Sequence, residues 1–276
     1  MVAAIFVLPL AARLSSLAFF PYIAWADDSG PLGFGSAWLT QDMEADRARF
    51  TKGTGTVLPG HLQLEAGYDF SYDNNAGIEQ SVHRIPDALL RVGVYEDLEL
   101  RLAWDGYVSR VIPGDSTKDG PGNFQVGIKH RMYENRLVMP DLSFLLELGL
   151  PTGDEDVSSN EAEPALSFLW AYVIPKYFSL AGNIRFAAPV QESQRNFETN
   201  VSLAATKPLG NYLAGFVEYA GFFQNQDAPD TRPRHQLDGG FMYSLSDNVQ
   251  LDVRLGLGLN EAADDFLART GISYRL

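Results

Sequence analysis

Along the stretch YEDLELRLAWDGY, residues 95–107, Leu98, Leu100, Leu102 and Trp104 fall on one side of an extended chain. Glu99, Arg101 and Asp105 fall on the other, with Ala103 between them. So apolar a face needs an oily neighbour, whereas a face carrying both signs of charge needs water or partners. The same period of two recurs from residue 61 to the C-terminus. Leu62, Leu64, Ala66, Tyr68, Phe70 and Tyr72 oppose Gln63, Glu65, Asp69 and Ser71, and Val249, Leu251, Val253, Leu255 and Leu257 oppose Gln250, Asp252 and Arg254. The pattern predicts strands over 61–72, 83–94, 98–108, 123–133, 140–150, 163–174, 178–188, 197–208, 212–223, 234–245, 249–259 and 266–276. Each is about ten residues long, the length with which a tilted strand crosses a bilayer. No helical heptad is sustained.

The connections alternate as well. Short ones (YED, ENRLVM, PKY, LGN, SDN) take turns with long ones such as SRVIPGDSTKDGPG and PTGDEDVSSNEAE. Short turns on one rim, long loops on the other and an even strand count predict an all-β fold, a transmembrane antiparallel β-barrel of about 12 strands. Lysine or arginine on the lipid face near the midplane costs about 2–4 kcal/mol, so the charged phase must look inward. This assigns Glu65, Asp87, Arg91, Glu99, Arg101, Asp105, Lys129, Arg131, Glu147, Arg185, Glu218, Asp238, Asp252 and Arg254 to the lumen, as candidate lining of a solute path or as a salt-bridge network. Leu100 and Leu251 are assigned to lipid. Tyrosines at the short-turn ends (Tyr95, Tyr133, Tyr172, Tyr177, Tyr212, Tyr243, Tyr274) and Phe70, Tyr72, Trp104, Phe186, Phe222 and Phe223 toward the loops fit two interfacial girdles. A soluble β-sandwich accounts for the strands singly but not for strand length and loop parity together.

Residues 1–26 are apolar almost throughout and end in AWA before Asp27, which reads as a signal peptide, although Arg13 interrupts the run and no basic residue precedes it. Residues 27–60 are Gly-rich without alternation and read as an irregular segment, periplasmic or tucked into the lumen, where Arg47, Arg49 or Lys52 could meet inner carboxylates. The barrel domain is then 61–276. After residue 26 no apolar run reaches the ~20 residues of a spanning helix.

The chain has no cysteine and a net charge of −14, which suits export without disulfide staples and argues against nucleic acid as a partner. The four histidines, His61, His83, His130 and His235, lie in no recognisable nucleophile context, so no enzyme is predicted. The acidic loops at 73–79 and 153–163 lack calcium-loop spacing, so no metal and no cofactor is expected.

The segments ADRARFTKGTGTVLPGHLQLEAGY, LLRVGVYEDLELRLAWDGY, LPTGDE, GFVEYAGFF and HQLDGGFMYSLSDNVQLDVRLGLGLNEAADDFLARTGISYRL together resemble the outer-membrane barrels named after the meta-pathway of phenol degradation. The resemblance runs from about Asp46 to the end; ARFTKGTG and the terminal Leu276, where an aromatic is usual, depart from the family pattern. It implies an outer-membrane channel or transporter for small solutes, hydrophobic or aromatic compounds among them. The alternative is a non-transporting structural or adhesion barrel of the envelope. Expected partners are outer-membrane lipid and lipopolysaccharide, the barrel-assembly machinery and a small-molecule solute; a monomer is expected.

Overall fold

The computed structural model describes residues 43–276 except 76, 116, 135–138, 175–176, 192–193 and 226–231. The leader expected over 1–26 lies outside the described residues. The strands are β1 (Leu62–Asn75), β2 (Ile78–Tyr95), β3 (Leu98–Trp104), β4 (Tyr107–Val111), β5 (Lys118–Pro121), β6 (Phe124–Tyr133), β7 (Asp141–Gly149), β8 (Glu163–Ile174), β9 (Phe178–Ala187), β10 (Val190–Gln191), β11 (Gln194–Arg195), β12 (Glu198–Pro208), β13 (Leu213–Gln224), β14 (Arg234–Ser246), β15 (Val249–Gly258) and β16 (Phe266–Arg275). Each pairs antiparallel with its neighbour, and β1 pairs with both β2 and β16, so the sheet closes on itself. With β3–β4 and β5–β6 each counted as one interrupted wall strand, and the small β10–β11 ribbon set aside, the barrel has twelve strands.

Alternation places oil outside and charge inside. Leu100 and Leu251 are 43% and 37% exposed, whereas Arg101 and Arg254 are 6% and 3% exposed. Leu146, Phe168, Ile184, Val217, Leu255 and Leu257 share the open outer face, and Glu65, Arg91, Glu99, Lys129, Glu218 and Asp238 are buried. In water this inside-out distribution would be unstable; in lipid it is what a closed barrel requires. The chain is an outer-membrane barrel. Aromatic residues band its exterior: Tyr172, Tyr177, Tyr212, Tyr243 and Tyr274 are exposed toward the short turns. Nearer the loops Trp104 stacks on Phe124, and Tyr68 and Tyr219 hydrogen-bond His83 and His235 at 2.6 and 2.7 Å.

The strand expected over 98–108 departs from prediction, because it breaks at Asp105–Gly106. Gly106 has φ +73°, and Pro86, which carries no N–H to donate, lies across from the break on β2. The adjacent wall strand breaks at the same level, where Gly122 N donates to Gly106 O at 2.7 Å and Asp105 N to Asn123 O at 3.0 Å. Asp105, at the break, stays on the inward phase and lines the cavity that Arg101 and Ala103 also line.

Candidate functional site: a plugged lumen

The lumen is occupied by the chain's own N-terminal segment. Residues 44–58 rise from the short-turn rim beside β1 and β2, reach mid-barrel at Phe50 and Thr51, and descend to the same rim. Pro59–Gly60 then turns the chain into β1, with Gly60 at φ +81° and its N–H bonded to Gly93 O at 3.1 Å. Two carboxylates brace the loop internally. Asp46 accepts from Gly53 N at 2.9 Å and Glu44 from Gly55 N at 3.2 Å. A side chain at Gly53 would collide with the Glu44 carboxylate, so the glycines of TKGTG make the compact loop possible.

The wall of β2, β3, β6 and β7 grips this plug. Asp46 receives Arg101 at 2.5 Å and Lys129 at 2.8 Å, with Arg91 at 3.9 Å. Glu99 binds Arg91 at 2.8 Å and Arg101 at 2.9 Å and also accepts Val57 N at 2.8 Å. Lys129 and Arg91 donate to Gly55 O at 3.0 and 3.1 Å, Ser143 to Thr54 O at 2.6 Å, and Lys52 reaches Glu147 at 2.6 Å. Burial works to raise the Asp46 pKa, but Arg91, Lys129 and Arg101 together outweigh it and hold the carboxyl well below the usual range. For Lys52 burial dominates, and its ammonium is pushed down despite Glu147.

Elsewhere the plug is held mainly through its backbone. Glu65 accepts Arg47 N at 2.7 Å, and Glu218 accepts Phe50 N at 2.9 Å together with Thr51 N. Thr51 Oγ1 donates to Ser202 at 2.8 Å, and Arg49 to Thr206 at 2.9 Å. The Arg47 guanidinium lies in a socket between the cross-strand glycines Gly67 and Gly271; a Cβ on Gly271 would sit 2.6 Å from its Nη1. From there it reaches Asp87 at 3.3 Å and Asp69 at 3.3 Å, and Arg269, paired with Asp69, donates to Arg47 O at 2.9 Å.

The sequence-predicted lumenal residues therefore divide. Glu65, Arg91, Glu99, Arg101, Lys129, Glu147 and Glu218 meet at the plug. Asp87 lies beside Arg47, and Arg185 stands 3.7 Å from Glu147. Asp238 and Arg254 face one another at 3.9 Å, and Asp252 lies 3.9 Å from Arg47. Arg131 sits at the short-turn rim, bonded to Glu96 O at 2.8 Å and paired with Glu134 at 3.1 Å. Asp105 lines the cavity above the plug together with Arg101, and Arg101 takes Glu99 and Asp46. Sequence reasoning missed Asp46, Glu44, Asp69 and Arg269 as site residues. Arg269 shares the inward phase with Gly271 and Ser273, so parity along β16 could have found it.

On the loop side of the plug a cavity of about 190 Å³ is lined by Phe50, Lys52, Leu89, Arg101, Ala103 and Asp105, among others. A second, of about 110 Å³, lies further outward between Asp105, Gln125, Glu163, Arg185 and Glu198. On the short-turn side a cavity of about 20 Å³ lies between Glu44, Val57, Gln63 and Arg91. Among the described residues no group of three or more His, Cys, Asp or Glu is placed to hold a metal ion.

The fold recurs in solved structures. An outer-membrane channel from Pseudomonas putida F1 superposes with a TM-score of 0.64 at 12% identity, over 81% of this chain and 98% of that one. The NanC porin gives 0.52 at 10% identity, over 78% and 100%. The translocator domain of the autotransporter NalP from Neisseria meningitidis also gives 0.52, at 12% identity, over 82% and 90%. At such identities the likeness is one of fold. No curated protein matches the chain. The family described as "Putative MetA-pathway of phenol degradation" matches residues 45–276, from the plug to the last strand. Plug and barrel are thus one family unit, and the chain belongs to this family of outer-membrane β-barrels.

Proposed function

We propose that the protein is a monomeric, gated outer-membrane channel for small solutes, with residues 43–58 as its gate. The observation that carries this reading is the plug itself. It is a separate loop, joined to the wall by hydrogen bonds and ion pairs that water can replace, inside a barrel large enough to pass solutes once it moves. The cavity above it supports the size class. About 190 Å³ exceeds a cavity of about 150 Å³ that takes benzene, and Phe50, Leu89 and Ala103 supply apolar contact beside Lys52 and Arg101. A single-ring compound with one polar or charged group fits, in keeping with hydrophobic or aromatic solutes. Insertion by the barrel-assembly machinery and contact with lipopolysaccharide belong to the same reading.

The density of bonds around Asp46 favours a second reading, a permanently filled barrel with a structural role. Planar-bilayer recording separates the two. A variant lacking residues 43–58 should give large steady conductance and the full chain brief openings, with uptake of single-ring solutes lost on deletion of the gene. A plug-deleted barrel that folds and does not conduct would leave the structural reading.

A further inference from the structure

The plug is gripped unevenly around the barrel. Among the described residues no hydrogen bond joins it to β14 or β15. Its contacts on that side are the 3.9 Å approach of Arg47 to Asp252 and the Phe50 ring 4.2 Å from the Arg254 guanidinium carbon. The polar atoms of this wall are nonetheless buried. Asp238, Asp252 and Arg254 are 2%, 5% and 3% exposed, yet both carboxylate oxygens of each aspartate and Nε and Nη1 of Arg254 have no hydrogen-bond partner among the described residues. Gln236 Oε1 on β14 is in the same condition. Buried charges without hydrogen bonds have lost water and gained little in return, so this wall gains most when the plug draws away and water enters. The wall of β2, β3, β6 and β7 has the opposite balance.

We propose that the channel opens along β14 and β15, the plug withdrawing from that side while Asp46 and Val57 stay clamped to Arg101, Lys129 and Glu99. This rests on the channel reading and extends it: Asp238, Asp252 and Arg254 become the charges that a passing solute meets, and they set charge selectivity. The clamped residues keep the plug tethered while the channel is open.

The test is the reversal potential of the full-length chain in a potassium chloride gradient, each variant first checked for folding by heat-modifiable migration. Asp238→Asn with Asp252→Asn should lower the cation-to-anion permeability ratio by on the order of tenfold or more, since a unit charge about 4 Å from a passing ion at the dielectric of water changes cation and anion occupancy by about fivefold each, in opposite senses. Arg254→Gln should raise it. An unmoved ratio in conducting Asp238→Asn/Asp252→Asn channels overturns the proposal, and so does a ratio that moves instead in Glu99→Gln. A full chain that never opens beside a conducting plug-deleted barrel also overturns it, whereas silence of the plug-deleted barrel removes the channel reading itself.

Discussion

Two walls of one lumen carry the same chemistry and use it differently. On β2, β3 and β6, buried arginine, lysine and glutamate meet at 2.5–2.9 Å around Asp46 and Glu99. On β14 and β15, equally buried Asp238 and Arg254 stop at 3.9 Å. The wall charges are alike, so the plug makes the difference. Against the first wall it presents Gly55 O, Glu44 O and Val57 N, which satisfy what the ion pairs leave over. Against the second it presents a phenyl ring. A buried ion pair offsets its desolvation only when its remaining donors and acceptors also find partners. In this lumen the inserted backbone supplies them on one side only; even there one atom, Glu147 Oε2, goes without.

The comparison breaks most sharply at Asp46. Asp46→Ala leaves Arg101 and Lys129 buried without their shared anion, which should cost the closed state about 3–5 kcal/mol. Complete release of the plug, a long-lived high-conductance level in single-channel records, should become on the order of 10²–10³-fold more frequent, with the barrel still folded. The outer face provides the contrast, since lipid does not sense the plug. Leu100→Arg beside the clamp and Leu251→Arg on β15 should each cost about 2–4 kcal/mol near midplane, equally within error, by denaturant unfolding in vesicles. Spin labels at 100 and 251 should be quenched by oxygen, and labels at 101 and 254, packed against the plug, should be reached by a water-soluble nickel reagent once residues 43–58 are removed.

Glu218→Gln tests the backbone grip. The carboxylate accepts both Phe50 N and Thr51 N, and an amide offers one oxygen, so about 1–3 kcal/mol of plug seating should be lost, seen as shortened closed times. Asp252→Asn should do least, changing the open fraction by less than about 1 kcal/mol or lowering it, because the charge it removes has no hydrogen bond. Acid should loosen the clamp only at low pH. With its pKa held below the ordinary 3.8, Asp46 contributes to seating above that value and loses the contribution as pH falls through the depressed one. Complete release of the plug should therefore be unchanged through Asp46 from pH 7 to 5 and grow more frequent only below about pH 4; release at pH 6 would place the sensor elsewhere.

Period-two alternation made the barrel legible, down to the 163–174 strand, whose expected span is that of β8. It assigned Arg101 and Arg254 inward through parity alone, since a strand has two faces and lipid rejects charge. Parity does not name a partner, and Arg101 finds Asp46, 55 residues away. The plug was legible only as an absence of period with Arg47 and Lys52 in it. Its shape is made by bonds to distant strands, such as Arg47 to Thr270 across 223 residues, and no local propensity encodes those. The break at Asp105–Gly106 was equally hidden, because a glycine at positive φ leaves the alternation on either side intact.

The route of the plug has a mechanical consequence. Glu44 O bonds Gln63 and Arg91 at the short-turn rim, and Pro59–Gly60 leaves at that same rim. Among the described residues the segment is thus a bight rather than a threaded strand, with both ends at one rim. Tension applied from the periplasm on its leading side would peel it free one bond at a time, beginning with Glu44 and ending with Val57, without unfolding the barrel. Residues 44–58, with both ends at one rim, can also be seated after β16 has closed on β1.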